Sequence, residues 1–129
     1  MNVELCYLAM SAALCVLMAF PYVIARVMSW GITDLVGYPE NPALVPAWSE
    51  RLKRAHSNMV ENLVPFACLI LVTQVASIST PMTVFGAALF FWCRTAHALF
   101  YTLKVPWFRT IAHSGGVVAM VLLFVALAQ

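Results

Sequence analysis

The chain has 129 residues, of which 64% are apolar and 9% charged. Soluble domains carry about 25% charged residues, so a mean hydropathy of +0.91 leaves too little polar surface to cover a water-soluble globule. Soluble folds, disorder and nucleic-acid binding are excluded together, and the net charge of +2 matters only through where the charges fall.

A hydrocarbon core of about 30 Å takes about 20 helical residues to cross, so this length allows one bundle and no second domain. The N-terminal segment MNVELCYLAM lacks the basic n-region of a signal peptide, and the apolar stretch after it is too long for an h-region. Leu5 to Ala25, followed by Arg26, predicts a retained spanning helix over about 3–27. From Val27 to Trp48 the chain turns polar and proline-rich, with Gly31, Gly37, Pro39, Pro42 and Pro46, which predicts a surface loop. Ser49 then stands as an N-cap for helix two, about 49–78, whose roughly 44 Å exceeds the slab and puts its first turns in headgroups and water.

Ser79, Thr80 and Pro81 predict a tight turn, helix three follows over about 82–103, and Val105, Pro106 and Trp107 connect it to helix four, about 109–129. The expected fold is therefore all-α, an integral membrane four-helix bundle. Trp30, Trp48, Trp107 and Phe108 fall at the expected membrane boundaries, as an aromatic belt does. Cys6, Cys15, Cys68 and Cys93 lie in apolar runs without ligand spacing, so neither a disulfide framework nor a metal site is expected.

Arg26, Arg51, Lys53, Arg54, Lys104 and Arg109 flank the first and third loops, which four crossings place on one side. By the positive-inside rule that side is cytoplasmic, with both termini opposite. Ionisable groups at membrane depth cost roughly 2.5–3.5 kcal/mol each on insertion scales, so those that persist face a bundle interior and have a role. On helix two, Arg51, Arg54, Asn58, Glu61 and Asn62 fall within an arc of roughly 100° at 100° per residue, while His56 points elsewhere. On helix three, Arg94, His97 and Tyr101 follow i, i+3, i+7 spacing and share a face, and Arg109 opens helix four. The combined cluster is cationic and suits a small ligand with more than one carboxylate, because Arg binds carboxylate as a bidentate fork.

Each residue also has an ordinary structural reading. Arg26, Lys53 and Lys104 read as snorkelling positive-inside residues, and Tyr101 fits a belt tyrosine as well as a ligand contact. Glu61 either neutralises a neighbouring arginine or touches the ligand. His113, beside Ser114, Gly115 and Gly116, reads as a packing residue, with the glycines marking close helix contact. Arg94, deep in helix three, requires a partner, and Glu61 is the one expected.

The string RAHSNMVEN from Arg54 to Asn62, followed by Pro65 and Phe66, resembles the signature of the membrane-associated proteins in eicosanoid and glutathione metabolism, the MAPEG family. RTAHALFYTLKVPWFR, from Arg94 to Arg109, is similar to its second signature, so the resemblance spans about half the chain. It implies a homotrimer that binds glutathione, as co-substrate and without metal, between neighbouring subunits near the cytosolic face. Arg54, Asn58 and Glu61 would then hold the tripeptide, with Arg51 and Arg26 as weaker contributors. Arg94, Tyr101 and His97 would contact it from helix three, and Arg109 would face the sulfur.

The activity implied is that of a microsomal glutathione transferase. Glutathione is ionised to its thiolate and conjugated to a hydrophobic electrophile from the bilayer lipids, with lipid hydroperoxide reduction as a side activity and detoxification as the role. His56 and Asn62 follow the microsomal transferase pattern and depart from that of leukotriene C4 synthase, and His97 stands where some members have tyrosine. A non-catalytic scaffold of the same fold that binds lipid or conjugate is the alternative. A small multidrug exporter is disfavoured, because the first helix has no acid between Leu5 and Ala25. Short loops favour a bacterial inner-membrane member.

Overall fold

A computed structural model describes all 129 residues as four helices, α1 (Val3–Val36), α2 (Ala47–Val75), α3 (Pro81–Thr102) and α4 (Pro106–Leu127), with no strand. All four are long and apolar enough to cross a membrane. Only 23 of the 129 residues are buried, and Val16, Phe20, Leu71, Phe85, Ile111 and Phe124 stand exposed around the bundle. A surface that apolar is solvated by lipid, so the burial pattern and the composition give the same answer.

The helix ends differ from the sequence expectation for local reasons. α1 does not stop near residue 27. Arg26 pairs with Glu50 at 3.2 Å and lies over the Trp30 ring, which keeps that turn helical, and the break falls at Gly31, where φ is +78°. That conformation is easy only for glycine. A short helical stretch continues to Val36, which shortens the connecting loop to residues 37–46. Ser49 is not the N-cap of α2. The helix begins at Ala47 after Pro46, and the Ser49 hydroxyl donates back to the Pro46 carbonyl at 2.7 Å.

α3 starts behind Thr80, which exchanges hydrogen bonds with Thr83 in a capping box. α4 starts earlier than residue 109, because Pro106 fits the first helical position, where no N–H partner is needed. Two residues past the ends of α2 and α3 stand residues with positive φ, Ser77 and Lys104. At each end the next N–H reaches back to a carbonyl five residues earlier, as in Val105 N–H to Phe100 O at 2.9 Å.

The packing is not a square. α3 and α4 make the most extensive pair, α2 and α3 both sit centrally, and α1 does not touch α4. α4 approaches α3 closely because small residues line the seam. A Cβ on Gly86 would meet Leu123 and the Ala119 carbonyl at 3.1 and 3.2 Å. Phe66 and Phe90 stack at 3.8 Å in the centre, with Met59, Ile70 and Leu123 buried in the same core.

Two polar ties fix the register along the bundle axis. At one end Arg51 Nε donates to the Thr102 carbonyl at 2.9 Å, so α2 projects beyond the end of α3 by about one turn, roughly 6 Å. At the other end Glu4 is fully buried, and its Oε1 accepts the hydroxyls of Ser79 and Thr83, each at 2.7 Å. Asn2 caps α1 through the Leu5 N–H and also donates to Gln74, closing that end of the bundle.

Candidate functional site

At the basic end, α3 and α4 enclose a half-open cavity of about 260 Å³ lined by His97, Tyr101, Arg109, Thr110 and His113. The i, i+4 spacing of His97 and Tyr101 on α3 and of Arg109 and His113 on α4 turns all four side chains toward the shared seam. The Arg109 guanidinium carbon lies 4.9 Å from the Tyr101 ring centroid, a cation–π contact that leaves its donors directed at the cavity. The His97 ring packs edge-on to Tyr101 and sits 5.7 Å from the His113 ring. No carboxylate lines this wall, so the cavity favours an anion.

Arg94 lies behind the wall and is only 1% exposed. Its expected partner was Glu61, and here the structure differs. Nη1 donates to Asn58 Oδ1 at 2.7 Å and approaches His113 Nδ1 at 3.5 Å, while Nε and Nη2 are buried without any partner. Asn62 Nδ2 donates to the backbone carbonyl of Asn58 at 2.8 Å and lies 3.5 Å from its Oδ1. Glu61 makes no hydrogen bond or ion pair, and Arg26–Glu50 is the one salt bridge in the chain.

The guanidinium has room because α4 carries glycine opposite it. A Cβ on Gly116 would stand 2.8 Å from Nε and Nη2, and one on Gly115 would stand 2.5 Å from Cys93 Sγ. The glycine pair therefore gives the close helix contact its sequence suggests, with Arg94 as the group accommodated.

The α2 stripe divides along its length. Its inner half, Arg51, Asn58 and Asn62, is engaged within the subunit, whereas Arg54 and Glu61 are exposed on the outer face of the bundle. Arg54, Arg94 and Arg109 therefore do not converge within one subunit. Only Arg94 and Arg109 share a neighbourhood. Arg26 is likewise occupied by Glu50 and Trp30, away from the cavity. His56 turns toward α1, where its Nδ1 meets the Tyr22 hydroxyl at 2.8 Å.

A family model matches residues 5–129, essentially the whole chain. The chain belongs to the MAPEG family. Membership agrees with the four spanning helices and makes this an integral, multi-pass membrane protein whose function is glutathione-related in the broad sense of the MAPEG proteins. Neither curated proteins nor solved structures give a match.

Two residues escape the sequence reading. His113, taken there as a packing residue, lines the cavity, and its i+4 spacing from Arg109 was the available signal. Glu4 was passed over because it precedes the apolar run. A carboxyl in the first turn of an N-capped spanning helix was the sign that something at that end receives it.

Proposed function

We propose that this MAPEG protein is a glutathione transferase that ionises the glutathione thiol beside Arg109 and adds it to a hydrophobic electrophile arriving from the lipid. The observation that carries this reading is the Arg109 guanidinium in the wall of a cavity that contains no acid. A thiol of this kind titrates near 8.5 in water, roughly, and a fixed cation in a low-dielectric cleft favours its thiolate. Arg109 stabilises the negative sulfur without exchanging a proton, and the thiol proton leaves to water through the cavity mouth. The thiolate then forms a carbon–sulfur bond as the electrophile expels its leaving group. The same thiolate would attack the peroxide bond of a lipid hydroperoxide, breaking it to release the lipid alcohol once protonated by water. The sulfur is left as a sulfenic acid, which a second glutathione converts to the disulfide and water.

One subunit's cavity is small and half-open. Ligand sites usually run to about 300–1,000 Å³, against about 260 Å³ here. Arg54 and Glu61 stand exposed and unpaired on the outer face of α2, where lipid solvates charge poorly. Both facts support a site completed between subunits of a homotrimer, with Arg54 and Glu61 meeting the tripeptide across the interface and Asn58, Arg94, His97 and Tyr101 shaping its other side. The engaged positions of Arg26 and Arg51 favour structural roles for those two. The positive-inside distribution supports a cytoplasmic site with both termini opposite, and the short loops favour a bacterial inner membrane.

Calorimetric titration of glutathione into detergent-solubilised protein, followed by turnover with an aryl halide or cumene hydroperoxide, tests the reading. Binding without turnover of either would make the protein a scaffold. Arg109→Ala is expected to keep most glutathione affinity while losing the thiolate ultraviolet band and about 10²–10³ in kcat. An unaltered thiolate band in that variant rejects the role of Arg109.

A further inference from the structure

Within the glutathione reading, two cavity residues have no assigned task, and one of them, Thr110, is engaged with the Pro106 carbonyl. His113 lies one turn after Arg109 on α4 and lines the same cavity. Its Nδ1 faces Arg94 Nη1 at 3.5 Å. A guanidinium has donors only, so Nδ1 must present its lone pair, and the ring proton is thereby assigned to Nε2. The contact is long for a hydrogen bond, but the charge of Arg94 imposes the same tautomer through its field. Arg94 is held by Asn58, is 1% exposed and has no carboxylate partner.

The groups facing His113 are Arg94 and His97 from α3, Asn58 from α2 by way of Arg94, and Arg109 on its own helix, with no acid among them. A second proton on this ring would bring an N–H against a buried cation, so the imidazole is held neutral with its donor outward. Nε2 has no partner in the protein and is not sealed from solvent, so this donor is open to the cavity.

We propose that His113 is a second thiolate-stabilising residue, its Nε2–H donating to the glutathione sulfur alongside the Arg109 guanidinium. Arg94 is then a positioning residue, buried so that the imidazole keeps a single tautomer. No proton resides on His113 during the step. Thiol becomes thiolate, its proton goes to water at the cavity mouth, and both stabilising groups keep the protonation with which they began. Gly116 belongs to the same device, because only a residue without a side chain leaves space for the Arg94 guanidinium beside it.

The test measures glutathione affinity by calorimetry and thiolate formation by its ultraviolet difference band across pH, on full-length protein in detergent. His113→Phe removes the donor and keeps the volume. It should bind glutathione within about threefold of wild type, yet form thiolate about tenfold less at a pH below the thiol's pKa, a displacement of the titration by about one unit. His113→Gln, which retains an N–H donor, should recover most of that loss. A His113→Phe titration that overlays the wild-type curve at equal glutathione occupancy overturns the proposal, and so does loss of binding in both variants, which would make His113 a packing residue. If the unmodified protein binds no glutathione, the transferase reading falls first and this inference with it. If it binds and ionises glutathione while His113→Phe is silent, His113 alone is removed.

Discussion

Of the buried titratable side chains, Glu4 at one end and Arg94 toward the other are the most enclosed, at 0% and 1% exposure. Neither has an opposite charge beside it, and their surroundings differ. Glu4 receives two hydroxyls at 2.7 Å on Oε1, next to the N-terminus of α3, its Oε2 has no partner, and no cavity adjoins it. A helix N-terminus favours a negative group, and the packing there is closed. Arg94 has one short hydrogen bond, to an amide, leaves two nitrogens without partners and backs onto an open cavity. Equal burial therefore separates a staple from a site only when the adjacent space is considered with it.

The comparison is sharpest when both groups are removed. Glu4→Ala leaves the Ser79 and Thr83 hydroxyls facing a void and should cost about 2–4 kcal/mol, read as a lowered midpoint of thermal unfolding in detergent, with turnover per folded molecule retained. Arg94→Met exchanges an undersatisfied buried charge for an apolar chain and should change stability by less than about 1 kcal/mol, while abolishing most thiolate formation. If Arg94→Met proves as destabilising as Glu4→Ala, or if Glu4→Ala loses turnover, the distinction between the two ends fails.

A smaller effect sharpens the cavity end alone. Gly116→Ala places its Cβ 2.8 Å from two guanidinium nitrogens and should cost about 1–3 kcal/mol by overpacking, with a loss of thiolate formation. Gly115→Ala meets Cys93 Sγ at 2.5 Å and should cost a similar amount, but Cys93→Ala should relieve it in the double variant, whereas Gly116→Ala should gain nothing from Cys93→Ala. The smallest effect lies in the turn between these helices. Lys104 has φ +62°, a conformation that costs a non-glycine residue roughly 1–2 kcal/mol. Lys104→Gly should therefore leave the unfolding midpoint equal or raised and turnover unchanged.

The helix count, the all-α class and the lipid solvent were legible because each depends on composition and on apolar run length, which bilayer thickness turns into a number of crossings. The clustering of His97 and Tyr101 with Arg94 on one face of α3 was legible from 3.6-residue periodicity. Helix ends were less so, since the stop at Gly31 and the start at Pro106 follow from a positive φ and a proline at the first helical position, not from hydropathy.

What only the tertiary structure decided is the rotation of each helix against its neighbours. Periodicity gave α2 a single polar arc, but α3 engaged Asn58 and left Arg54 and Glu61 outside, so Arg94 found an amide where a carboxylate had been expected. The same rotation brought His113 into the cavity. It was set by contacts with no hydropathy signature, a Cβ missing at Gly116 and at Gly86, and side-chain spacing along one helix carries no information about which neighbour will fill that space.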